Sequence, residues 1–117
     1  MLGLLLRPLA TFLWPSVSSL ALHALTLGAI GCLTLGMMAR VALGHTGRQL
    51  VLPAAMTWAF LAINAAAAAR VFLPMLAPSA YFESLVAAGA LWSAAFLVFL
   101  VAYWPMLSRP RVDGKPG

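Results

Sequence analysis

The sequence predicts an all-α fold: a polytopic membrane bundle of three transmembrane helices, preceded by a short apolar N-terminal segment. Three observations predict it. Of the 117 residues, 64% are hydrophobic and 8% charged, with a mean hydropathy of +1.02, far above soluble domains. Residues 8–39, 49–69 and 84–108 contain no Lys, Arg, Asp or Glu, and each interval has room for the ~20 residues that cross a bilayer. The seven basic and two acidic residues fall one or two at a time at the segment ends, which is a topology signal and not a nucleic-acid patch.

The first span is expected over about 17–41. Trp14, Pro15 and Ser16 mark its entry, since proline suits a helix start and serine can cap free N–H groups. At 100° per residue, Gly28, Cys32 and Gly36 cluster on one side, a small-xxx-small pattern that admits a close neighbour. His23, Ile30, Thr34 and Val41 line the other side, which then faces a cavity, a cofactor or a second neighbour. His45 falls beyond the span in a glycine-flanked turn beside Arg48.

The second span is expected over about 51–72, with Pro53 in its first turn and Pro74 and Pro78 breaking it. Its Ala65–Ala69 run favours helix and offers a thin packing face, and Asn64 is placed for an interhelical hydrogen bond. The third span, about 80–104, has Ser79 as its expected cap and Glu83 in the first turn, where the helix dipole favours a carboxylate. Tyr103 and Trp104, near Arg109, form an expected interfacial anchor, and residues 105–117 an exposed tail. Residues 1–117 therefore read as one membrane domain.

With three spans, Arg40, Arg48, Arg109, Arg111 and Lys115 share one side against Arg7 and Arg70 on the other. The positive-inside rule then puts the C-terminus in the cytoplasm. Arg7-Pro8 interrupts the first apolar run, so the N-terminus does not read as a signal peptide but as the tail of an earlier helix. The chain is thus expected to be the C-terminal part of something longer.

Intramembrane histidine is the main pointer to chemistry, because such side chains are costly in lipid. An imidazole can ligate haem iron or copper once its second nitrogen is fixed by a partner. His23 and His45 are the candidate cofactor and metal ligands, weighed against an interfacial and a solvated-turn histidine respectively. They lie 22 residues apart, roughly 33 Å along a helix, so one copy of the chain cannot bring both to one metal. Met37 and Met38 are soft donors that more often simply pack, and Cys32 reads as a small filler in the packing face. Arg40 and Arg48 suit haem propionates or other anions, although positive-inside anchoring also explains them.

Other classes lose their residues. No mid-span carboxylate is present for a proton-coupled multidrug exporter, and no phosphate-cradling loop, Cys-x-x-Cys pair or Ser/His/acid set supports a hydrolase. No residue is assigned a catalytic step, and whether the chain is an enzyme stays open.

The strings HALTLGAIG from His23 to Gly31, MMARVALGHTGR from Met37 to Arg48 and RPRVDGKPG from Arg109 to Gly117 closely resemble the C-terminal region of the NnrS family. The resemblance implies a multi-pass protein of the bacterial inner membrane, associated with haem and copper and with the response to nitric oxide and nitrosative stress. Family members are longer, and their N-terminal histidine-containing region has no counterpart here. Cys32 stands where the family more often has threonine or a similar residue. Expected partners are membrane lipid and either a missing N-terminal half or other copies of the chain, with no nucleic acid. Two alternatives stay open: a three-span haem b anchor subunit of a respiratory complex, and a truncated product without independent activity.

Overall fold

Apolar side chains bought by a span must still be arranged so that backbone polar groups are satisfied internally, and helices do this in lipid. The computed structural model, which describes residues 15–114, is helical throughout its three long segments, with no strand among the described residues. The N-terminal apolar segment, Arg7, Lys115 and the side-chain cap expected at Ser16 fall outside that description.

The first segment is continuous but not uniform. Helix α1 (Pro15–His23) passes into a π-helical segment (Ala24–Ile30) and then into α2 (Gly31–His45). It overruns the expected 17–41 at its C-terminal end. Helix α3 (Ala55–Leu76) follows. It begins after Pro53 rather than at residue 51, because the Met56 and Thr57 amides turn back to the Pro53 and Ala54 carbonyls. It also runs past Pro74, which costs little so near the helix end, and stops at Ala77.

A 3-10 turn (Pro78–Ala80) then leads into α4 (Tyr81–Leu107). Ser79 sits inside that turn and does not cap α4. The cap position is Ala80, with no side-chain bond, while Glu83 occupies the first turn as expected. Pro105 lies inside the last turn of α4. At 1.5 Å per residue, the 22 residues of α3 reach ~33 Å, enough to cross a ~30 Å hydrocarbon layer. All three segments are long and apolar enough to span.

The most extensive packing joins α3 and α4. Leu35, Ala39, Leu43, Met56, Ala59, Ile63, Ala95, Phe99 and Tyr103 form the buried core where α2 meets this hairpin. The expected small face performs as predicted. A Cβ at Gly28 would lie 3.4 Å from Ala67 Cβ, and one at Gly36 3.8 Å from the Phe60 ring. Tyr103 departs from expectation: it is fully buried and stacks on Phe99 at 4.6 Å, leaving Trp104, 64% exposed, as the only aromatic of the pair placed for an interface. Its hydroxyl has no hydrogen-bond partner.

Candidate functional site

His23 ends α1 at the junction with the π-helical segment, and its ring is half-buried. Its Nδ1 lies 2.7 Å from the Ser19 carbonyl oxygen, one turn back. A carbonyl only accepts, so this bond takes its proton from Nδ1, and a neutral ring bonded in this way has Nε2 as its acceptor atom. Thr26 closes a similar local bond to the Leu22 carbonyl at 2.9 Å. π-Helical turns are rare and occur frequently at functional sites.

Between the π-helical segment and α3 lies a groove of about 380 Å³, lined by Leu25, Gly28, Cys32, Asn64, Ala67 and Phe72 among others. Asn64 is the polar point of this wall. Its Nδ2 donates to the Phe60 carbonyl at 2.7 Å and to Cys32 Sγ at 3.5 Å. The interhelical bond expected of Asn64 is therefore present, with the local bond the shorter. Cys32 is an acceptor as well as a small packing residue.

At the end of α3 nearest the 3-10 turn, Arg70 is only 4% exposed. One terminal nitrogen donates to the Tyr81 hydroxyl at 2.8 Å, and the guanidinium carbon lies 4.7 Å from the centre of the same ring. Its Nε is buried without a partner. Sequence reasoning treated Arg70 as a flanking topology charge. The signal for more was its position before Pro74 and Pro78, which turn the chain so that Tyr81 returns beside it.

The opposite end is organised by the end of α2. Gly47 takes φ +70°, a left-handed conformation, while its N–H bonds the Gly44 carbonyl and the Arg48 N–H bonds the Leu43 carbonyl. This is a Schellman closure, in which glycine avoids the Cβ penalty. His45 is thus the last residue of α2 and exposed, rather than a residue of the turn itself. Thr46 is buried, its hydroxyl donating to the Ala42 carbonyl at 2.8 Å.

The segment after α4 is exposed, as expected, except at the half-buried Arg111, and it also folds back so that residues 108–114 touch this turn. The Val112 N–H bonds the Thr46 carbonyl at 3.2 Å, and Arg48 reaches the Met106 carbonyl at 3.5 Å. Asp113 takes two bonds from Arg111, at 2.9 and 2.6 Å. The hydrogen bonds that Arg111 donates to Asp113 hold its guanidinium above its already high ordinary pKa, so it stays charged.

A protein-family model described as NnrS protein matches residues 1–111. The chain belongs to the NnrS family. No curated protein and no solved structure matches it.

The donors of this NnrS chain can be tested against the cofactors that the family implies. Among the described residues there is no group of three His, Cys, Asp or Glu side chains that could hold a metal ion. A copper centre closed by these residues alone does not fit. A haem contact needs only one imidazole, and His23, with Nδ1 beside the Ser19 carbonyl, would fit such a contact. His45 lies at the other end of the same span, on the exposed side of the α2 terminus. The structure therefore does not bring the two histidines together.

Proposed function

We propose that this chain serves in the NnrS-type response to nitric oxide or nitrosative stress, as a multi-pass protein of the bacterial inner membrane with its C-terminus in the cytoplasm. In this reading His23 would hold a haem through its imidazole, and the haem would supply the affinity for a diatomic gas. The observation that carries it is the His23–Ser19 bond, which leaves Nε2 available on a half-buried ring. His45 is the candidate for a separate haem or copper contact, and donors beyond the described residues would complete either centre. Family membership supports the haem and copper association. The wide apolar surface left on all three spans, including Leu33, Trp58 and Phe82, supports a setting in lipid or beside further helices of an NnrS-like assembly.

The test is to purify the chain in detergent, alone and with a longer N-terminal partner, and record visible spectra and metal content. His23→Ala should abolish the absorption band of the haem that His23 holds, while His45→Ala should leave that band in place and lower only the haem or copper content of the separate centre. Neither haem nor copper in either preparation, or an unchanged band in His23→Ala, would refute the ligand assignment. Rescue of nitric oxide sensitivity in cells, compared with a longer version, tests the stress role separately.

A further inference from the structure

The turn at the end of α2 and the returning segment after α4 enclose a second groove, of about 500 Å³. Its polar side is formed by Arg40, His45 and Arg111, and its apolar side by Met37, Val41 and Leu50. We propose that this groove binds an anionic phospholipid, with the headgroup phosphate against the two arginines and an acyl chain along Met37 and Val41.

Charge is the first argument. At this end of the bundle the described residues carry Arg40, Arg48, Arg109 and Arg111 against one acid, Asp113. Asp113 uses both carboxylate oxygens on Arg111, at Nε and one terminal nitrogen, and so leaves three of the five guanidinium N–H groups for another acceptor. Arg40 lies on an exposed face of α2 and forms no ion pair with a described residue. Two guanidinium forks beside one groove suit a phosphate, which takes them in bidentate fashion.

The second argument is that Arg111 is held there. Residue 112 is bonded to Thr46, and a Cβ on Gly47 would come within 2.8 Å of the Asp113 carboxylate carbon. Backbone bond, tight approach and bidentate pair together fix the returning segment over the turn. A basic residue on a loose tail would have no such placement.

The apolar wall selects lipid over a free anion. Met37, Val41 and Leu50 are 58, 45 and 58% exposed, and Met37 and Val41 continue onto the face of the span that would meet the acyl region. Inorganic phosphate would satisfy the arginines and leave that wall wet. A phospholipid covers both parts, as basic pockets at the ends of membrane helices do.

Native mass spectrometry of the full chain in mild detergent tests this, with micelles containing phosphatidylglycerol, phosphatidylcholine, or no lipid plus millimolar inorganic phosphate. Phosphatidylglycerol should be retained, and phosphatidylcholine should not. Arg40→Gln and Arg111→Gln should each weaken retention about fivefold, the factor expected for one arginine near an anionic lipid. Arg109→Gln, on the same segment but outside the groove, should retain lipid as the parent does. Helix content by circular dichroism in each variant confirms that the spans still form. Equal weakening in Arg109→Gln, equal retention of phosphatidylcholine, or displacement of the lipid by inorganic phosphate would overturn the proposal.

Discussion

Gly31→Ala probes whether the first and second spans are packed to their limit. A Cβ at residue 31 would lie 2.9 Å from Ile63 Cδ1 and 3.3 Å from its Cγ1, with Trp92 Nε1 at 3.6 Å. Ile63 is fully buried, so its side chain cannot swing into open space. Gly31 has ordinary helical angles, so alanine meets no backbone strain and contributes about 1 kcal/mol of helix propensity. Overpacking a closed contact costs about 1–3 kcal/mol, which leaves a net loss of about 0–2 kcal/mol. Ile63→Val deletes the atom at 2.9 Å, at a separate cost of about 0.5–1.5 kcal/mol. In the Ile63→Val background the overpacking is relieved, so Gly31→Ala should stabilise by up to about 1 kcal/mol, with a coupling of about 1–3 kcal/mol between the two sites. Thermal or SDS-induced unfolding followed by circular dichroism in detergent measures all four members of the cycle. Additivity within about 0.5 kcal/mol would show that the contact is not tight, and the packing account of Gly31 would fail.

Tyr103→Phe removes a buried hydroxyl that has no partner, so the variant should unfold at equal or higher temperature, with a gain of up to about 1–2 kcal/mol. A clear loss would mean that the hydroxyl is satisfied after all. Tyr81→Phe keeps the ring beside Arg70 but removes its acceptor, and should cost about 1–2 kcal/mol in the same unfolding assay. Gly47→Ala combines a left-handed backbone with a collision against Asp113, so hydrogen exchange at the Val112 amide should accelerate while exchange in mid-α3 stays unchanged.

Features that repeat along one helix were legible before the structure. The three spans follow from uncharged length, and the Gly28, Cys32 and Gly36 face follows from spacing, because close helix approach needs small residues in register. Asn64 was legible for a similar reason, since a lone mid-span amide must find a partner. Features made by chain reversal were not. Burial of Arg70 depends on Tyr81 being brought back by the turn at Pro78–Ala80, and Arg111 is fixed only because residues 108–114 return to Thr46 and Gly47. Tyr103 reads like an interfacial aromatic from composition, yet its position on α4 turns it toward Phe99 and the core. For His23, the residue type was legible, but the Ser19 bond that orients its ring is a matter of rotamer.

The π-helical segment works as a length buffer within the first span. A π turn accommodates roughly one residue more than an α turn, so deleting a single residue within Ala24–Ile30 would restore a regular helix and leave His23 facing nearly the same way relative to Gly36 and Arg40. Everything from Gly31 onward keeps its seat against α3. In evolutionary terms, the first span can lose one residue here without a change of register at either end.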